Sequence, residues 1–142
     1  MGDKFRYQEF VGIGETNMEG NVYWARYFDW FGKAREVFLL SLVPNFAELF
    51  SSGLRIVTHE TSIKHISSAF FTEEIILELS IGEIKNASAR IMVDFIKKAS
   101  GEKIAEGWQT IVFADAQGKI MPIPSSIKEA GLKYLNVSSK IR

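Results

Sequence analysis

With 142 residues the chain is long enough for one domain with a sizeable core and too short for two ordinary ones, so a single domain over residues 1–142 is expected. Its 17 basic and 17 acidic residues cancel, which leaves no electrostatic reason for a nucleic-acid or anionic-membrane partner. Cysteine is absent, excluding disulfides, thiolate zinc sites and a cysteine nucleophile, and no apolar run reaches the roughly 18 to 20 residues of a membrane-spanning helix.

The opening Met1-Gly2-Asp3-Lys4-Phe5 lacks the apolar core of a signal peptide, and Arg6 stands where a myristoylation signal wants Ser or Thr, so a cytoplasmic location is expected. Phe5 to Val11 alternates as a first strand, ended by Gly12 and Gly14. From Tyr27 to Leu42 the pattern turns helical. Asp29, Lys33 and Glu36 share one narrow face, while Tyr27, Phe31, Ala34, Val37, Phe38 and Ser41 span much of the rest, so something concave should envelop this helix. Pro44 stops it, and Asn45 to Ser52 reads as a further short helix before Gly53.

Beyond Gly53 come β-rich segments: Arg55 to Ile66, Ile75 to Ile84, Ala89 to Lys97 and Ile104 to Ala114. Lys85-Asn86 and Ser100-Gly101 read as hairpin turns. Asp115 to Gly118 closes the last strand, Pro122 and Pro124 break the chain, and Ser125 is expected to cap a short C-terminal helix through about Leu135. One strand, a long buried helix and then antiparallel strands make an α+β plan in which a curved sheet wraps a helix.

The segment with chemical potential is Glu15-Thr16-Asn17-Met18-Glu19-Gly20-Asn21-Val22-Tyr23-Trp24-Ala25-Arg26-Tyr27, a loop running straight into the long helix. A helix N-terminus offers unpaired N–H groups and the positive end of the dipole to developing negative charge. Gly20 permits close approach of the loop, and the amides near Trp24 would face a substrate carbonyl; an ordinary loop-to-helix junction would carry the same residues. Asn17 can donate to a carbonyl oxygen and accept from a water, but an amide is no base at neutral pH. Glu15 and Glu19 are the nearby carboxylates that could serve as base or stay solvated. Arg35 projects among aromatics, about 120° from the charged stripe, and needs a partner: a structural ion pair with Glu15 or Glu19, Asn17 itself, or a substrate carboxylate or β-carbonyl. His59 and His65 should share one strand face at a spacing of roughly 20 Å, too far for one metal ion; His65 is the one expected to approach the site. No Gly-rich phosphate loop, serine elbow or metal motif is present, so neither cofactor nor metal is expected.

The stretch Glu15-Thr16-Asn17, Gly20-Asn21-Val22-Tyr23, Tyr27, Trp30, Gly32, Arg35-Glu36 and Phe38-Leu39 resembles the active-site loop and central helix of hotdog-fold thioesterases, the 4-hydroxybenzoyl-CoA thioesterase-like superfamily. Within these it looks most like the thioesterases that accompany iterative enediyne polyketide synthases, in which the usual carboxylate is likewise Asn. The resemblance implies a hotdog fold, a homo-oligomer (a dimer or a dimer of dimers, hence a homotetramer), and catalysis by Asn17, Tyr27 and Arg35. Gly20, Tyr23, Trp24 and His65 are the substrate or oxyanion contacts expected beside them. It implies release of a polyene or β-keto chain from an acyl carrier protein; a general acyl-CoA thioesterase and a non-catalytic acyl-binding or scaffold protein are the alternatives.

Overall fold

The computed structural model describes residues 2–136. Its elements are strand β1 (Phe5–Phe10), helix α1 (Arg26–Leu42), helix α2 (Phe46–Ser51), strands β2 (Arg55–His65), β3 (Glu74–Ile84), β4 (Ser88–Lys97) and β5 (Lys103–Ala114), and helix α3 (Ser125–Gly131). One 3₁₀ turn at Ile13–Glu15 follows β1, and another at Leu132–Tyr134 follows α3. Ser125 is the first helical residue rather than the cap expected of it. Pro124 holds the cap position with no side-chain bond, and the helix tightens into the 3₁₀ turn after Gly131.

The strands form one antiparallel sheet in the order β1-β3-β4-β5-β2. β3, β4 and β5 follow one another as hairpins, whereas β2 pairs with β5 at one edge and β1 with β3 at the other. α1 lies against the inner face. Its buried residues Tyr27, Trp30, Phe31, Ala34, Phe38 and Leu39 recur at three- and four-residue steps, as one helical face requires. They pack on Leu77, Leu79, Val93, Phe95 and Ile111, the strand residues whose period of two turns them inward. The charged stripe of Asp29, Lys33 and Glu36 is exposed as expected. Leu40, 47% exposed, falls on the same face as that charged stripe.

One irregularity matters for function. The β2–β5 register shifts between Thr58 and Glu60, with Thr58 opposite Ile111 and Thr61 opposite Gln109. His59 is the extra residue of this bulge. The bulge lets Thr58 and Thr61 both face inward three residues apart, and it cancels the expectation that His59 and His65 lie on one face: parity is broken between them.

Candidate active site

The loop before α1 is held as a narrow turn. The Asn17 N–H donates to the Asn21 carbonyl at 2.9 Å, the Gly20 N–H returns to the Asn17 carbonyl at 3.0 Å, and the Glu19 N–H donates to Asn17 Oδ1 at 3.0 Å. Gly20 sits at φ +87°, a conformation costly for any residue with a Cβ. Thr16 and Asn21 anchor the turn by bridges to Val22 and Phe70, and the Val22 N–H donates to the Ala69 carbonyl at 2.9 Å. The Asn17 side chain thus shapes the loop through its oxygen, and its Nδ2 meets no acceptor among the described residues.

At the start of α1 the amides of Arg26, Tyr27 and Phe28 are spent on the carbonyls of Tyr23, Trp24 and Ala25. The Tyr23 N–H is spent on Glu15. Among the described residues, no acceptor meets the N–H groups of Trp24 and Ala25.

An open cavity of about 400 Å³ has Asn17, Tyr23, Trp24, Tyr27 and His65 in its lining, whereas Glu15, Glu19, Gly20 and Ala25 lie outside that lining. Tyr23 and Trp24 stand at its mouth, 44% and 57% exposed. Tyr27 is buried, its ring edge-to-face with His65 at 4.6 Å and with Phe95 at 5.2 Å. Burial pushes the Tyr27 hydroxyl above its ordinary pKa, against the opposing pull of a backbone bond from Ala69, so it is a neutral donor at physiological pH. Partial desolvation of the ring against Tyr27 lowers the His65 pKa and favours the uncharged imidazole, although the residue stays exposed at the cavity wall.

Of the two acidic candidates, Glu15 is engaged. Its carboxylate accepts the Gly12 N–H at 2.9 Å and the indole Nε1–H of Trp30 at 2.7 Å, tying the loop to α1. Glu19 is exposed beside Asn17. Arg35 forms neither of the ion pairs expected of it and does not touch Asn17. Its Nη1 donates to Thr58 Oγ1 at 2.7 Å and to Gln109 Oε1 at 2.9 Å, and its buried Nε has no acceptor among the described residues. Desolvation lowers the Arg35 pKa, opposed by the charge of nearby Glu36, but leaves the guanidinium protonated. Eight residues of helix separate it from Tyr27, about 12 Å along the axis, and it lies outside the cavity lining.

Sequence reasoning assigned no role to Asn21, Gln109 or Thr58. Asn21 contributes a buried Oδ1 without a donor to the cavity wall. Gln109 is 5% exposed, a buried amide on the inner face of β5. Its signal was present: in Ile104 to Ala114 it holds the same parity as Ile111 and Phe113. A second depression, about 230 Å³, lies on the outer sheet face near Asp94 and Trp108, among ion pairs such as Lys103 with Glu106 at 2.7 Å.

The sequence matches the thioesterase-like superfamily over residues 11–131. The chain belongs to that superfamily, and it is a thioester hydrolase of hotdog fold. It is similar to the dynemicin thioesterase, whose crystal structures concern induced-fit and allosteric effects upon polyene binding, with 25% identity, a TM-score of 0.89, and 95% of this chain and 99% of that one covered. A gentisyl-coenzyme A thioesterase is 29% identical, with a TM-score of 0.80 over 89% of this chain and 98% of that one. A 1,4-dihydroxy-2-naphthoyl-CoA thioesterase from Synechocystis shares the fold at 17% identity, with a TM-score of 0.83 over 96% of this chain and 99% of that one. No curated protein matches the sequence. Among the described residues no helix is long and apolar enough to cross a membrane.

Proposed function

We propose that this thioester hydrolase releases a polyene or β-keto acyl chain from an acyl carrier protein. The observation that carries the reading is the convergence on one cavity of Asn17, of Trp24 with its free N–H, and of the aromatic side chains of Tyr23 and Tyr27, with the free N–H of Ala25 next in the chain. Flat rings at the mouth suit a conjugated chain. Similarity to the polyene-binding dynemicin thioesterase over nearly the whole chain supports the same substrate class.

In this reading the thioester carbonyl lies against Asn17 Nδ2 and the Trp24 and Ala25 amides, which stabilise the oxyanion as it forms. Water adds to the carbonyl carbon, the C–S bond breaks, and the proton lost by the water ends on the departing thiol. The Tyr27 hydroxyl donates a hydrogen bond to the reacting group, with His65 shaping the wall and Gly20 setting the turn that presents Asn17. Glu19 is the freer of the two carboxylates to guide the water, while Glu15 is committed to Trp30 and the loop. A β-keto thioester is already activated, which relaxes the need for a strong base.

The site is completed by a second subunit. β2 is an 11-residue edge strand whose outer hydrogen-bonding side has no partner among the described residues, and Val57 upon it is 51% exposed. Pairing two copies across that edge would close it. Two antiparallel α1 helices would then bring the partner subunit's Arg35 toward Asn17, where its unquenched charge could hold a β-carbonyl or carboxylate. A dimer, alone or doubled into a tetramer, follows.

The second reading, hydrolysis of aromatic acyl-CoA, draws on the likeness to the gentisyl-coenzyme A thioesterase. Thiol release from β-keto polyenoyl, saturated and hydroxybenzoyl thioesters, each on carrier protein and on CoA, separates the two. The first reading expects kcat/KM at least ~10-fold higher for the carrier-borne polyene. Preference for the aromatic CoA ester would establish the second.

A further inference from the structure

Gln109 occupies a position whose surroundings call for a hydrocarbon. It stands on the inner face of β5 between Ile91 of β4 and Thr61 of β2, and with Ser80 it is one of two buried polar residues among those described. An amide there is tolerated only if hydrogen-bonded, and Gln109 Oε1 accepts from Arg35 Nη1 at 2.9 Å. Thr58, turned inward beside the bulge, accepts from the same nitrogen at 2.7 Å. Two neutral acceptors from different strands therefore fix one arm of the fork. Neither cancels its charge, and the buried Nε remains unpaired among the described residues.

We propose that Gln109 is a positioning residue for Arg35: a neutral anchor in the sheet that sets the direction of the guanidinium while leaving its charge available to the substrate. The inference rests on the reading that Arg35 touches the substrate. It explains why the position holds an amide and not a carboxylate. A Glu at the same distance would form an ion pair with Arg35 and neutralise the charge that the reaction uses. An apolar residue would pack but release the fork to other rotamers, and misorientation of such a group falls on the transition state more than on ground-state binding.

The test compares Gln109→Met, nearly isosteric without the acceptor, with Gln109→Glu, isosteric but charged, in the full-length oligomer. Both are expected to lower kcat roughly 10-fold with KM changed less than about 3-fold. Gln109→Glu should do so while its thermal midpoint equals or exceeds that of the unsubstituted protein. In an Arg35→Ala background, Gln109→Met should lower kcat no further, because its effect passes through Arg35. Undiminished kcat in either folded Gln109 variant, or an equal further loss on Arg35→Ala, overturns the role of Gln109 and leaves Arg35 in the site. Full activity of folded Arg35→Ala instead removes Arg35 from the site, and the positioning role falls with it. If Gln109→Met fails to fold, Gln109→Glu still decides, since a stable protein with unchanged kcat contradicts the proposal.

Discussion

The rings of Tyr27 and His65 meet edge-to-face at 4.6 Å, joining the first turn of α1 to the last residue of the edge strand β2 at the wall of the cavity. Partial desolvation lowers the His65 pKa. The folded chain therefore binds its proton less readily than the unfolded chain, whose imidazole titrates near ~6.5. The stability linked to His65 is fully present above that value and is lost as pH falls through it. Urea midpoints should drop more steeply between pH 7 and 5.5 in the unsubstituted protein than in His65→Phe, which keeps a ring against Tyr27 and cannot titrate. Parallel slopes would show that His65 does not respond to its desolvation.

Two glycines test how the backbone holds the site. A Cβ on Gly107 would collide with the Ser62 carbonyl oxygen of the neighbouring strand, a backbone atom that cannot swing aside. Gly107→Ala should push β2 from β5 and cost on the order of 2–3 kcal/mol or more in denaturant unfolding. At Gly20 nothing lies within 4 Å of an added Cβ, so Gly20→Ala should cost only the strain of φ +87°, about 1 kcal/mol. Equal losses at the two positions would refute this ordering.

The elements were legible because their periods were unmixed. α1 announced itself by one charged stripe and by Pro44, and β3 by alternation from Leu77 to Ile81. What sequence could not give was the pairing of the two edge strands, since the hairpin turns at Lys85-Asn86 and Ser100-Gly101 already joined β3, β4 and β5. The place of β2 beside β5, four strands from β1, depends on contacts far apart in sequence, and the bulge at His59 hides inside a run of good strand formers. Asn17, Tyr23, Trp24 and Tyr27 were traceable because they are contiguous with the helix start. Arg35 was traceable as a misplaced cation, but not its partners, for Thr58 and Gln109 lie 23 and 74 residues away.

The distance between Arg35 and the Asn17 cavity within one chain yields a test by mixing. In the proposed dimer, the Asn17→Ala and Arg35→Ala variants should each be impaired alone. If each site draws Asn17 from one subunit and Arg35 from the other, random co-assembly makes half the dimers mixed, each with one intact site. Activity should return to about one quarter of the unsubstituted level. No recovery above the parent variants, with subunit exchange verified by mass-tagged chains, would place both residues of each site in one subunit and refute the shared arrangement.

The sharpest separation of roles falls on Asn17, whose two side-chain atoms do different things. Oδ1 receives the Glu19 N–H at 3.0 Å and shapes the loop, while Nδ2 is free to donate to the substrate carbonyl. Asn17→Asp keeps the acceptor, so the loop should hold its shape and thermal stability should be little changed. It removes the donor and sets a negative charge beside the forming oxyanion, so turnover should fall about 10²-fold with substrate binding largely kept, as for loss of a contact made in the transition state. Asn17→Ala loses both atoms and should be impaired in turnover and also looser in the loop, seen as faster amide exchange at Glu19. Faster hydrolysis by Asn17→Asp, on β-keto and saturated thioesters alike, would mean that a carboxylate base serves this site better than an amide donor, and the oxyanion role of Asn17 would fall.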